Sequence, residues 1–175
     1  MAEEFEELGG LDEDVEMETL QLRSKEGELF EVRTDVAMQS ELVMSMFESD
    51  RNERVIPMQN VSSAVLEKVI EYLKHHHNNP AKPIEQPLRS KNLADVVDAW
   101  DADFVSVPQE VLFELMLAAN YMDIKPLLDL TCAQVASMIK GKSPDEIRKT
   151  FNIPNDFTPE EEEAVRQDFR WAESI

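Results

Sequence analysis

Three short runs in this 175-residue chain carry side chains with chemical potential, and their spacing decides what each can do. His75-His76-His77 offers imidazoles to a metal ion. A zinc-binding helix spaces its histidines four residues apart and adds a carboxylate or further ligand, whereas adjacent helical residues point in different directions. The run reads as polar residues at the negative end of a helix, where partial positive charge is favoured, with metal binding as the sharper alternative. Gly141-Lys142-Ser143 has the ending of a phosphate-binding loop. That loop needs another glycine five positions earlier, where Ala136 stands, and it should follow a strand, whereas a helical pattern precedes it here. The acids Glu160 to Glu163 suit the solvated first turn of a helix. Cys132 is the one cysteine, which rules out an internal disulfide and a cysteine-cluster zinc site. No nucleophile–base arrangement emerges from these residues, so neither catalysis nor a metal nor a cofactor is implied.

The charge balance narrows the partners. A net charge of −20 repels nucleic acid and anionic membrane and favours a basic partner surface. No apolar run approaches a membrane span, and the acidic N-terminus lacks a secretion signal. With a single cysteine, this suits a reducing compartment: cytoplasm, nucleus or both. Residues 1–18 form an acidic leader without Lys or Arg, interrupted by Gly9-Gly10, and are expected to be disordered. Phe5, Leu8, Leu11 and Val15 could form a weak amphipathic patch for a basic partner, and a solubilising tail is the plainer reading.

The elements that must position any site follow from periodicity. Leu20 and Leu22 alternate with polar residues, Ser24-Lys25-Glu26-Gly27 reads as a turn, and Phe30 and Val32 resume the alternation of a β-hairpin. A short helical piece near Asp35 to Met38 precedes a helix capped by Ser40 and running to about Phe47. Glu48 to Arg54 is a charged loop. Val55 to Met58 is a short strand that Pro57 confines to an edge or strand end. Val65, Leu66, Val69, Ile70 and Leu73 mark an amphipathic helix from Asn60 to His75. The proline-rich, polar residues 78–92 read as a mobile loop. Leu93 to about Phe104 reads as one helix. Pro108 opens another, to Tyr121, which is nearly apolar all round through Leu112, Phe113, Leu115, Met116, Leu117 and Ala119 and is expected in the core.

The C-terminal third is the most informative stretch. Asp123 is placed to cap a helix to Lys140 that stops at Gly141, with Leu128, Cys132, Val135 and Ile139 along one face. Ser143-Pro144-Asp145-Glu146 and Thr158-Pro159-Glu160-Glu161 then repeat one signature: hydroxyl at the N-cap, proline at the first helical position, glutamate at the third. The first opens a helix to about Asn152 carrying Ile147 and Phe151. The second opens a helix carrying Val165, Phe169 and Ala172, with Trp171 near its end. Both are thin apolar faces and too short to persist alone, so they cover the preceding helix or frame a groove for another protein. Short strands followed by helices, without a glycine-rich βαβ turn, indicate an α+β fold, predominantly helical.

Several of these runs also carry a resemblance. LAANYMDIKPLLDLTC, VASMIKGKSPDEIRKTFNIPNDFTPEEEE, LQLRSKEGELFEV, VIPMQNVSSAVLEKVIEYLKHH and the terminal tryptophan resemble the S-phase kinase-associated (Skp) adaptor family of SCF ubiquitin ligases, from about Thr19 to Trp171. The resemblance implies a BTB/POZ-like fold, a small three-stranded sheet packed by helices, with a C-terminal helical extension. After the acidic leader at 1–18, which it does not cover, it implies a cullin-binding body at 19–141, with the mobile loop at 78–92, and F-box-binding helices at 142–175. It implies an adaptor between F-box receptors and a cullin scaffold. By position it assigns F-box contact to Leu128, Cys132, Val135, Ile139, Ile147, Phe151, Ile153 and Trp171, with Phe113 and Met116 as neighbours. It assigns cullin contact to Asn120 and Tyr121, with Phe47 beside them. Protist members that this chain resembles carry oxygen-dependent hydroxylation and then glycosylation of a proline at the position of Pro154, which otherwise reads as a turn residue. The leader and the Trp171-Ala172-Glu173 ending depart from the usual family pattern. The alternatives are an elongin C-like adaptor, which lacks the helices after Gly141, and a self-associating BTB-type protein, for which the F-box groove would support a weak homodimer.

Overall fold

A computed structural model describes residues 18–168. Residues 1–17 of the acidic leader and Phe169, Trp171 and Ala172 lie outside the described residues.

The hairpin forms where alternation placed it. Strand β1 (Thr19–Arg23) pairs antiparallel with β2 (Leu29–Arg33), setting Leu20 against Val32 and Leu22 against Phe30. Leu20, Leu22 and Val32 are buried on one face. The turn closes because Gly27, at φ +90°, donates its N–H to the Ser24 carbonyl while the Ser24 hydroxyl accepts from the Glu28 N–H. After α1 (Thr34–Ala37), the hydroxyl of Ser40 caps α2 (Glu41–Ser49) by accepting from the Val43 N–H. Strand β3 (Val55–Pro57) then joins β1 in parallel and completes a three-stranded sheet of order β2-β1-β3. Pro57, without an N–H, sits on an edge strand.

Helix α3 (Ser63–His76) buries Val65, Leu66, Val69, Ile70 and Leu73, the stripe read from its periodicity, together with Tyr72 and His76. It packs against α5 (Gln109–Tyr121), which in turn packs against α6 (Lys125–Ile139). Leu115 and Leu127 are fully buried there, each contributing roughly 1.5–3 kcal/mol of transfer free energy. Three readings need correction. Residues 93–104 do not form one helix: a 3-10 turn at Leu93–Asp95 is separated from α4 (Ala99–Phe104). The rings of α4 set that geometry, since Trp100 stacks on His75 at 3.6 Å and Phe104 lies 5.6 Å from Tyr72. Asp123 does not cap α6; it takes φ +50° in the corner between α5 and α6, and its side chain makes no cap. Nor is α5 apolar core all round, because Leu117 is 68% exposed and Phe113 36%.

Beyond α6 the chain carries α7 (Pro144–Phe151) and α8 (Pro159–Asp168). Both starts close as the sequence signature requires. The Ser143 hydroxyl accepts from the Glu146 N–H, and the Glu146 carboxylate accepts from the Ser143 N–H at 2.7 Å. Thr158 and Glu161 make the same reciprocal pair at 3.3 and 2.9 Å.

Candidate partner-binding surface

The three histidines turn to three different partners. His75 stacks on Trp100, and His77 meets Asp35 at 3.0 Å. His76 is buried, with Nε2 2.8 Å from the Asp101 carboxylate and Nδ1 2.9 Å from the Asn79 carbonyl. No three His, Cys, Asp or Glu side chains gather to hold a metal among the described residues. The histidines therefore pin the end of α3 to α1, to α4 and to the segment that directly follows α3.

Helix α6 divides its apolar circumference. Leu127, Leu130 and Ala133 are buried in the body, while Leu128 and Val135 are half-buried against the core. Cys132 and Ile139 face outward, Ile139 at 37% exposure. Burial, and then the Asp129 carboxylate, push the Cys132 thiol above its usual range, so it stays a neutral thiol. The chain turns at Gly141, φ +70°, into α7. The capping bond from the Ser143 N–H holds Glu146 below the ordinary carboxylate range, which favours the charged form at the positive end of α7.

Helix α7 buries no residue. Ile147 and Phe151 are half-buried, and the Phe151 ring lies 6.1 Å from that of Phe113 on α5. Met116, also on α5, is half-buried. The corner from α7 to α8 is closed by polar contacts. Asn152 at φ +53° ends α7, the Ile153 N–H donates to the Arg148 carbonyl at 2.9 Å, and Asn155 donates to Glu162 at 2.7 Å. Arg148 pairs with Asp145 at 2.9 Å and lies over the Phe157 ring at 5.6 Å. Ile153 and Phe157 stay 50% and 46% exposed, and Pro154 between Ile153 and Asn155 is exposed. The structure thus brings Phe113 and Phe151 together and leaves Ile139 and Ile153 as open apolar surface. Leu128 and Val135 lie nearer the body, and Trp171 lies outside the described residues. Phe157 and Leu117 are further exposed apolar side chains, and neither is marked by the sequence: Phe157 has no periodic partner, and the general apolarity of α5 hides Leu117.

A second surface lies at the far end of α5. Asn120 is exposed and Tyr121 half-buried against the core. The start of α2 is stitched to this corner, its Glu41 and Leu42 N–H groups facing the Asp123 and Met122 carbonyls at 3.4 Å, with the Ser40 hydroxyl also donating to Met122. Phe47, half-buried, is six residues along α2, roughly 9 Å from Glu41 along its axis.

Comparison with known proteins adds the following. Residues 18–78 match the model of the Skp1 family tetramerisation domain, and residues 125–172 that of the Skp1 family dimerisation domain. The chain is 52% identical over 155 residues to the S-phase kinase-associated protein 1 homolog of Tetrahymena thermophila, covering 88% of this chain and 93% of that one. It is 53% identical over 151 residues to SKP1-like protein 1A of Arabidopsis thaliana, covering 86% and 94%. It is 48% identical over 158 residues to the SCF ubiquitin ligase complex protein SKP1a of Dictyostelium discoideum, covering 90% and 97%.

Proposed function

The chain belongs to the Skp1 family, and we infer from this that it is a non-catalytic adaptor subunit of an SCF ubiquitin ligase, linking F-box substrate receptors to a cullin. Its contribution is positioning: a receptor held on one face and a scaffold on another raise the effective concentration of substrate near the ubiquitin-transfer machinery. The observation that carries the receptor side is the apolar surface left open beyond α6, where Ile139, Ile153 and Phe157 are exposed and α7 buries nothing. Such a surface suits an amphipathic helical partner. Receptor contact is assigned to Phe113, Met116, Cys132, Ile139, Ile147, Phe151 and Ile153, with Leu128 and Val135 supporting them, and by the sequence resemblance alone to Trp171. Cullin contact is assigned to Asn120 and Tyr121, with Phe47 at the margin; a tyrosine half-buried beside an exposed amide fits a binding surface.

The test is titration of a purified F-box domain into the full chain and into a chain ending at Gly141. Tight binding lost on truncation supports the assignment; no binding by the full chain across several F-boxes overturns it. Without a receptor, the same apolar surface would pair two copies weakly, which sedimentation at several concentrations would register as a concentration-dependent shift. Pro154, exposed in the α7–α8 corner, is an accessible acceptor for hydroxylation and glycosylation. An unmodified Pro154 peptide, by mass spectrometry of protein from oxygen-replete cells, would remove that assignment. A cytoplasmic and nuclear location accords with the single cysteine, and imaging of the tagged chain tests it.

A further inference from the structure

Residues 78–92 have no regular secondary structure before the 3-10 turn, yet they are tied to the body at successive points. The Asn79 carbonyl faces His76, Lys82 pairs with Asp98 at 2.8 Å, and the Leu88 carbonyl accepts from Lys140 Nζ at 2.8 Å. Lys91 lies so close to Gly141 that a Cβ there would meet its Nζ at 2.6 Å. Ile84 and Leu88 are half-buried against the core. The segment is thereby drawn along α6 beside the face that carries Cys132 and Ile139, and a slot of about 360 Å³ stays open between them. Its lining is mostly apolar, with Asp129 and Lys140 as its charged members. An apolar cavity of ~150 Å³ accommodates a benzene ring, so this one has room for a large aliphatic or aromatic side chain.

We propose that this segment is the second wall of the receptor groove: Ile84, Pro87 and Leu88 face Cys132, Ala136 and Ile139 across a slot that takes an apolar anchor side chain from the partner's helix. The proposal rests on the receptor-binding assignment above and extends it to residues that assignment does not contain. Continuity identifies the occupant. Cys132 and Ile139 form both the floor of the slot and part of the receptor surface, so a helix lying along α6 passes over the opening. A side chain seated between two walls loses more water-exposed area than one laid on a single helix face, which is the property of an anchor.

Two variants of the full chain test the slot from opposite sides, with a purified F-box domain as the probe in isothermal titration. I84S/L88S removes the apolar wall, and A136L fills the slot from the floor without removing core packing. Both are expected to weaken binding at least tenfold while thermal unfolding of A136L stays unchanged. If I84S/L88S unfolds, A136L decides alone. Unchanged affinity in A136L overturns the proposal. Tighter binding by a folded I84S/L88S also overturns it, since the segment would then be a cover that the receptor displaces. If A136L shifts only self-association in sedimentation and leaves receptor binding intact, the slot belongs to a second copy and the proposal fails. An unmodified chain that binds no F-box defeats the receptor assignment itself, and this inference with it; binding that is retained in the variants defeats the slot alone.

Discussion

At the scale of single residues, the buried pair His76–Asp101 bears most on stability. The imidazole is held between two acceptors, the Asn79 carbonyl 2.9 Å from Nδ1 and the Asp101 carboxylate 2.8 Å from Nε2. Both side chains are nearly sealed, at 6% and 9% exposure. Removing one partner strands the other in a low-dielectric site. Asp101→Ala should therefore lower the unfolding free energy by about 3 kcal/mol in urea denaturation. A loss below about 1 kcal/mol would mean that the imidazole finds another partner. The capping glutamates predict a pH effect with a definite sign. Glu146 and Glu161 are held below their ordinary 4.5 by the Ser143 and Thr158 N–H groups. A depressed carboxylate contributes stability that is present above its unfolded value and lost as pH falls through the folded one. Helices α7 and α8 should fray as pH falls below 4.5, which backbone NMR shifts would follow. In E146Q/E161Q that acid transition should be absent, with both helices weaker at neutral pH.

At the scale of elements, α7 is held to the body by few contacts. Its Phe151 meets Phe113 through a tilted ring pair at 6.1 Å, worth roughly 0.5–1.5 kcal/mol beyond area burial. Because the cost to the body is capped by the marginal docking of α7, Phe151→Ala should change global stability by no more than about 1.5 kcal/mol while weakening F-box binding by a larger factor than that loss explains; equal effects on both would make Phe151 a packing residue only. What the sequence disclosed about such elements divides along range of interaction. The hairpin turn, the Ser40 cap and the two reciprocal Ser/Thr–Glu boxes were legible because each is closed by residues within a few positions of one another. The interruption between the 3-10 turn and α4 was not, because it depends on Trp100 and Phe104 reaching rings on α3. Asp123 misled for the same reason. The corner it occupies is organised by Ser40, 82 positions from the Met122 carbonyl to which it donates. In α6 the apolar residues were readable but their sides were not. A helix apolar on more than one stripe does not say which stripe faces the body, so Leu127, Leu130 and Ala133 could not be told from Leu128, Cys132, Val135 and Ile139 as the buried side. Residues 78–92, polar and proline-rich, gave no sign that Ile84 and Leu88 would lie against the core.

At the scale of the whole molecule, the proposed receptor surface begins on α5 and α6, beside the buried core, and continues past it onto α7. Among the described residues, the buried apolar side chains fall between Leu20 and Ala133, and α7 contributes none. A helix that buries nothing, as α7 does, adds little to the core of the body. The consequence is measurable without any partner. A chain ending at Gly141 loses the Phe113–Phe151 contact and some partial cover of α5, on the order of 1 kcal/mol. For a chain of this size that corresponds to a melting shift of about 2–4 °C. The truncated chain should therefore unfold in one cooperative transition within about 4 °C of the full one. In the full chain, helical signal from α7 and α8 should decay below the main transition, since short capped helices with thin apolar faces are marginal on their own. A melting point far lower after truncation would show that α7 and α8 complete the core, and the apolar surface beyond α6 would then be filled by the chain's own helices rather than held open for a receptor.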